Sequence, residues 1–334
     1  MNNLHNTDFH THSHLSDADP ELSPAAVAAQ AAAEGIENLS ITDHDHLLHP
    51  TLCAALSETY HINLVPGCEF STLWGNTKTG EPAIVHIGGH WLDAEDPVIQ
   101  QILEYNQHLN YEAYVKLMLY KYNKQLPLAQ RMNIDAAYET IKLQHPQAVH
   151  RGKRDVARFL VSSGRAADLQ SAYQHLAYGG EAYVSPTEML PFAPLEEVVS
   201  AITRKSLATL NHLFYSHLSP SENHELIRCF KAMGGQCLES QYSPYSVEKQ
   251  AMLFEACDQY ALLPNCGSDR HDTTRSFLQG SDIIYKMLHR RQLEQYGTTY
   301  MESWRQVLSR KHPHIWKETE HGLEEIDISE LPFY

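Results

Sequence analysis

DFHTHSHLSDAD (residues 8–19) puts histidines at 10, 12 and 14 on alternate positions and aspartates at 17 and 19 just behind them. On an extended strand, side chains alternate with period two, so the three imidazoles face one side. A short turn then brings carboxylates beside them. This is a ligand-rich strand end, and the rest of the chain must say what it is built for.

The chain has 334 residues with 43% apolar content, enough for one large α/β domain or a barrel with an inserted subdomain. No run of about 18 apolar residues occurs, so no transmembrane helix is expected. The opening MNNLHNTDFH lacks a basic stretch followed by an apolar one, so no signal peptide is expected. Cysteines 53, 68, 229, 237, 257 and 266 form no Cys-x-x-Cys pair, which fits reduced thiols and a cytoplasmic location. The formal charge of −16 argues against an extended nucleic-acid-binding face, which needs a basic stripe. It leaves room for a nucleotide or a strand end held in a locally positive pocket.

Working outward, TDFHTH reads as a strand and SPAAVAAQAAAEG as a helix with Ser23 as cap, Pro24 in the first turn and Gly35 past the end. ENLSIT, HINLVPGCEF and PAIVHIGGHWLD read as further strands, and the spacing points to parallel βα units. The glycines of the last mark a bend or a close backbone approach. Residues 96–190 change to helical patterns, beginning with one long amphipathic stretch over 97–125, and read as a helical insertion. The tyrosines at 105, 111, 114, 120, 122 and 138 are expected to pack its helices. The βα rhythm then returns, and residues 301–334 form an acidic C-terminal extension.

The ligand-type residues His10, His12, Asp17, Asp43, His44, Glu69, His86, His212, Asp269 and His271 all fall at or just after expected strand ends. In a β/α barrel that face carries the active site, because loops from many strands converge there. Each motif alone has an ordinary reading: surface histidines, an aspartate turn or helix cap, a hydrogen-bonded core histidine. Together they point to a polynuclear site for hard or borderline divalent ions such as manganese, zinc or iron. A carboxylate such as Glu69 can bridge two ions, and paired ions suit in-line displacement at phosphorus. No Gly-x-Ser-x-Gly elbow and no P-loop occur. Cys68 and Cys266 read as small buried residues near the site.

Taken in order, FHTHSHLSD, ITDHD, VPGCEFST, VHIGGHWLD, TLNHL and GSDRH resemble the polymerase and histidinol phosphatase (PHP) family of metal-dependent phosphoesterases, from residue 8 to 272. RGKRDVARFLVSSG followed by AYQHLAYGGEAYV is similar to the helical segment of the branch that acts on 3′,5′-bisphosphonucleotides and RNA 5′ ends. The resemblance implies a distorted seven-stranded (β/α) barrel from residues 1–95 and 191–300, with 96–190 as a substrate cap. It implies two to three divalent ions: one on His10, His12, Glu69 and Asp269; one on Glu69, His86 and His212; one on Asp17, His44 and His271. His10, His12, Glu69, Asp269 and His271 form the implied catalytic set, around metal-activated hydroxide. Asp43 would orient a ligand imidazole from behind, and Asp45 would serve the turn. His14, His46 and His90 would not be primary ligands.

The chain departs from the family pattern in ways that touch the substrate. SDG is SDAD here, adding Asp19; AHP is NHL; GRPHIAR is GKRDVAR. Lys153, Arg154, Arg158 and Arg270 are the candidate phosphate-holding cations. The expected function is hydrolysis of a phosphomonoester of a small nucleotide or an RNA 5′ end. The alternatives are a histidinol-phosphate-like or sugar phosphatase, or a metal-binding protein without turnover.

Overall fold

Short apolar runs separated by capped helices set the order of elements. The computed structural model describes residues 5–75, 82–109, 111–188, 192–278, 280–296, 314–319 and 322–327. The strands are β1 (His5–Thr11), β2 (Asn38–Ile41), β3 (Asn63–Leu64), β4 (Gly67–Gly75), β5 (Pro82–His90), β6 (Leu207–Leu210), β7 (Cys237–Tyr242), β8 (Leu263–Gly267) and β9 (Gly280–Ser281). The backbone hairpin β10 (His314–Thr319) and β11 (Gly322–Asp327) lies in the C-terminal extension, whose remainder is outside the described residues.

The helices are α1 (Pro24–Ala33), α2 (Pro50–Tyr60), α3 (Pro97–Leu109), α4 (Tyr111–Lys124), α5 (Ile134–Gln144), α6 (Lys153–Ser162), α7 (Leu169–Leu176), α8 (Leu195–Thr203), α9 (Pro220–Ala232), α10 (Val247–Tyr260) and α11 (Asp282–Tyr296). α1 starts where its sequence demands. Ser23 Oγ accepts from Ala26 N at 3.1 Å, Pro24 needs no donor there, and Gly35 follows at φ +83°.

The result is a mixed α/β fold. One sheet has order β3-β2-β1-β9 and the other β4-β5-β6-β7-β8. The expectation of parallel units throughout holds for β1–β2–β3 and β6–β7–β8 but fails at β4, β5 and β6, which pair antiparallel. For β4 and β5 the reason is length. Only residues 76–81 separate β4 from β5, and a parallel crossover needs about a dozen residues or more.

The ladders describe two open sheets rather than a closed barrel. The sheets meet at single bridges, Thr11 with Arg270 and His44 with Glu69. Register shifts between Asp8 and Thr11 in β1, and between Glu239 and Gln241 in β7, bend the strands near these seams. Such irregularities re-aim side chains and interrupt pairing.

Of four apolar clusters among the described residues, one, with Phe9, Trp91, Ile284 and Leu288, packs α11 against β1, and the other three follow the layers. Phe70, Ile87, Val198, Leu210, Phe230 and Leu238 belong to the core of the five-stranded sheet, with α3, α8, α9 and α10. Leu22, Val27, Leu39, Ile41 and Leu56 join α1 and α2 to the four-stranded sheet. Val115, Met118, Ile141, Val156, Leu160 and Leu176 form a separate core of α4 to α7. Along the stretch read as one long helix, residues 97–109 and 111–124 are helical, and the two parts pack into different cores. Ile99, Ile102 and Leu103 of α3 pack into the sheet core, whereas α4 packs into the helical one. Tyr111, Tyr122 and Tyr138 are buried as packing residues, while Tyr105 and Tyr120 are exposed. No described helix is long and apolar enough to cross a membrane.

Gly67 shows how closely the strands approach beneath the seam. A Cβ there would stand 2.2 Å from Ser40 Oγ, 2.9 Å from Thr42 Cγ2 and 3.1 Å from the Gly89 carbonyl. Gly67→Ala is expected to destabilise the protein by about 1–3 kcal/mol, read as a lower urea midpoint at unchanged slope.

Candidate metal centre

Glu69 is the pivot of the site. It is fully buried near the start of β4, and its two oxygens face different partners. Oε2 lies 3.2 Å from His10 Nε2, 3.4 Å from His12 Nε2 and 3.1 Å from His44 Nδ1. Oε1 lies 2.9 Å from His212 Nε2 and 3.4 Å from His86 Nδ1. Asp269 Oδ1 stands 3.2 Å from His12 Nε2 and 3.6 Å from His10 Nε2. A third group completes the cluster, with Asp17 Oδ1 3.0 Å from His271 Nε2 and 3.9 Å from His44 Nε2.

All nine expected ligand residues therefore come together. Those from β1, β2, β6 and β8 do lie at strand ends or in the turns that follow. Glu69 and His86 do not, because they sit inside the antiparallel pair β4–β5. There Glu69 faces Gly88, two residues from His86, so both side chains share one face. The backbone is strained where the turns deliver ligands. His212 and Asp269 hold φ of +21° and +51°, and Asp45, beside His44, holds +45°. The Asp269 turn is secured by its N–H, which donates to the His10 carbonyl at 2.7 Å, and by Arg275 Nη1, which donates to the Asp269 carbonyl at 2.6 Å.

The donor set fits divalent cations. Four groups of the cluster each leave a buried atom without a hydrogen-bond partner: His10 Nε2, His12 Nε2, Asp17 Oδ1 and Glu69 Oε2. Buried polar atoms are ordinarily satisfied, so four orphans aimed at one another mark a place for a ligand. Three sets of possible ligand atoms each lie within 4.8 Å of one another: His10, His12, Glu69 and Asp269; His12, Asp17, His44 and His271; and His44, Glu69 and His86.

The electrostatics agree. Burial works to raise the Glu69 carboxyl, but the imidazoles of His10, His86, His44 and His212 hold it well below its usual range. Asp17 and Asp269 are lowered in the same way, against burial, with His271 the leading imidazole for both. Burial also pulls His12 down, but its hydrogen bonds to Asp269 and Glu69 carry it up to about 9.

Around the cluster, some groups behave differently from the sequence reading. Among the described residues, Asp43 has no hydrogen bond to an imidazole. Its carboxylate accepts from Ser13 N at 2.7 Å, Ser13 Oγ at 2.6 Å and Ser16 Oγ at 2.7 Å, and only Ser16 reaches His12 Nδ1, at 3.5 Å. The group that orients imidazole directly is Glu239, which the sequence reading missed. Its Oε1 accepts from His10 Nδ1 at 2.8 Å, and its Oε2 accepts the backbone N–H of His212 at 2.7 Å. Tyr242 and Asn211 were missed as well. Tyr242 Oη donates to Asp269 Oδ2 at 2.6 Å, and Asn211 Nδ2 donates to Glu69 Oε1 at 2.9 Å. Their signal in the sequence is only that LESQY and TLNHL end strands in the same order as the ligands.

Asp45 anchors the turn as expected. It accepts from Ser71 N and Asn106 Nδ2, and the Tyr111 hydroxyl donates to it. Tyr111 in turn stacks on buried His150 at 3.8 Å between ring centres. His14 bonds to the Pro20 carbonyl, and His90 to Asn265, so neither joins the cluster. Cys68 and Cys266 are fully buried, and burial pushes both thiols well up.

The four candidate phosphate cations separate. Arg270 is not at the cluster: it donates to Gln30 Oε1 on α1 and to the Arg275 carbonyl, and covers the Phe277 ring. Asp269 and His271 point into the cluster, whereas the Arg270 side chain between them runs to α1. Lys153 and Arg154 open α6, whose cap residue Gly152 lies against Asp17. Arg154 Nη2 donates to Asp272 Oδ2 and Arg158 Nη2 to Asp19 Oδ1, each at 2.5 Å. Among the described residues Lys153 has no hydrogen bond or ion pair. Burial lowers its pKa, and Asp17 works to raise it.

No family model matches the chain. It is 28% identical over 270 residues to the 5′-3′ exoribonuclease Rnm of Salmonella typhimurium, covering 79% of this chain and 85% of that protein. It is 26% identical over 279 residues to a 3′,5′-nucleoside bisphosphate phosphatase of Chromobacterium violaceum, covering 80% and 87%. An amidohydrolase structure from Chromobacterium violaceum with bound sulfate superposes with a TM-score of 0.68 at 25% identity, over 86% of this chain and 96% of that one. A metal-dependent phosphoesterase from Bifidobacterium adolescentis also gives 0.68, at 18% identity and the same coverage, a likeness of fold. The resemblance to PHP phosphoesterases read from the motifs is thus matched by relatives along most of the chain.

Glu239→Gln is expected to lower the affinity of the cluster for Mn2+ by about 10–100-fold, because an amide turned to serve His10 cannot also accept from His212 with the same charge. Titration calorimetry measures it, with circular dichroism checking that the fold is kept.

Proposed function

We propose that the chain is a metal-dependent phosphoesterase. Its substrate is a phosphomonoester of a small nucleotide, of 3′,5′-bisphosphonucleotide type, or of an RNA 5′ end. The observation that carries the reading is the set of buried, unpartnered ligand atoms converging on both sides of Glu69. The activities of the 28%- and 26%-identical relatives supply the substrate class. The two sheets are read as a distorted barrel of β1, β2 and β4 to β8, interrupted at its two seams.

Two to three divalent ions, manganese, zinc or iron, would occupy the positions of His10, His12, Glu69 and Asp269; of Glu69, His86 and His212; and of Asp17, His44 and His271. When bound, they would supply a nucleophilic water near neutral pH and neutralise charge developing at phosphorus. The chain does the rest. His10, His12 and Glu69 are buried beneath the site, while His86, His44, Asp17 and His271 are partly exposed and mark the side from which a phosphate arrives. Glu239 and Asn211 hold His10 and Glu69 in place. Residues 96–190 act as the substrate cap, and α6 brings Lys153 to the Asp17 side of the cluster as the cation for the reacting phosphate.

The test is metal analysis of the purified protein followed by a phosphatase panel. Hydrolysis of adenosine 3′,5′-bisphosphate or a 5′-phosphorylated oligoribonucleotide should be stimulated by Mn2+ and lost with a chelator. His44→Ala and Asp269→Ala should each lower kcat by at least about 100-fold with the fold intact. Lys153→Ala should raise KM more than it lowers kcat. Preferential turnover of histidinol phosphate would move the substrate class. A chain that binds no divalent ion and hydrolyses none of these would overturn the reading.

A further inference from the structure

The rim of the site holds two arginines that the chain's own carboxylates occupy. Arg154 and Arg158 are four residues apart on α6 and so share one face. Arg158 Nη2 meets Asp19 Oδ1 at 2.5 Å, and its Nη1 meets Asp155 Oδ1 at 3.1 Å. Arg154 Nη2 meets Asp272 Oδ2 at 2.5 Å and lies 3.7 Å from Asp19 Oδ1. Both guanidiniums are partly exposed, so an incoming anion can reach them.

The three carboxylates are not equally committed. Asp155 is 2% exposed, bonds to His145 Nδ1 at 2.8 Å and accepts the Gly152 N–H at 2.9 Å. Asp272 is built into a turn, its Oδ1 accepting from Thr274 N, Thr274 Oγ1 and Arg275 N. Asp19 is 22% exposed, and among the described residues its carboxylate meets only the two arginines. Its backbone is fixed beside the cluster, however, because its N–H donates to the carbonyl of His271 at 2.8 Å. The exchangeable acceptor is therefore Asp19, and the guanidinium it would release is that of Arg158.

We propose that Asp19 is a specificity-determining residue, an internal carboxylate that competes with a second, non-reacting phosphate of the substrate for Arg158. Carboxylate and phosphate oxygens are equivalent acceptors for a guanidinium fork, so one displaces the other. A substrate whose single phosphate reacts at the cluster leaves the Asp19–Arg158 pair in place. A substrate carrying a further phosphate must break that pair, and its affinity is lower by the strength of the pair. The proposal rests on the phosphoesterase reading for its catalytic consequence but not for its binding consequence.

The experiment compares adenosine 3′,5′-bisphosphate with adenosine 5′-monophosphate on the Mn2+-loaded full chain, wild type and Asp19→Asn, by titration calorimetry and by steady-state kinetics. The expected result is a Kd and KM for the bisphosphate that fall about five- to tenfold in Asp19→Asn, with the monophosphate changed by less than about twofold. The gain should vanish in the Asp19→Asn, Arg158→Gln double variant, and Asp19→Ala should reproduce it if the asparagine form folds poorly. Equal shifts for both ligands, or none for either, overturn the proposal, as does a wild type that binds neither. A wild type that binds both ligands but hydrolyses neither overturns the function reading instead, and the Kd ratio alone then decides the role of Asp19.

Discussion

A fully buried carboxylate ringed by imidazoles is the constraint on which this molecule is organised. Glu69 cannot be charged in an apolar interior without compensation, and His10, His12, His44, His86 and His212 stand around it to give that compensation. Those five rings come from β1, β5 and the turns after β2 and β6. Both sheets must therefore be present and correctly spaced for the carboxylate to be tolerated. The His44–Glu69 bridge, one of the two seams between the sheets, runs through the same residue. Backbone architecture and side-chain chemistry meet at one residue.

The groups behind the ligands extend this logic. Glu239 spans His10 and the His212 backbone, tying together one imidazole from each side of Glu69. Tyr242 holds the free oxygen of Asp269, and Asn211 holds Oε1 of Glu69. Each such bond removes rotational freedom from a group that would otherwise rearrange when the charge at the site changes. The backbone N–H groups of His212 and Asp269, where φ is positive, are tied to Glu239 and to the His10 carbonyl.

The rim follows a different rule. Charged groups there are partly exposed, held by pairs that solvent and anions can compete for. Asp19, Asp155 and Asp272 outnumber Arg154 and Arg158, so the approach from α6 is close to neutral although two arginines line it. An incoming phosphate meets these arginines only in competition with the carboxylates that already hold them.

The metal-type residues were legible in the sequence because ligand chemistry restricts residue type: imidazole and carboxylate at the ends of apolar runs have few other uses in such number. The capped helix α1 was legible because capping is local, set by Ser23, Pro24 and Gly35. Tertiary structure alone decided the rest. The antiparallel turn of β4 and β5 moved Glu69 and His86 into strand interiors, since alternation along a strand does not reveal its partner's direction. Glu239 looked like any strand glutamate until β7 placed it against β1 and β6. Arg270 carried the right charge beside two ligands, but its side chain runs to Gln30 on α1. Residue type is a property of the chain, whereas which groups touch depends on contacts between segments hundreds of residues apart. Only the folded arrangement sets those contacts.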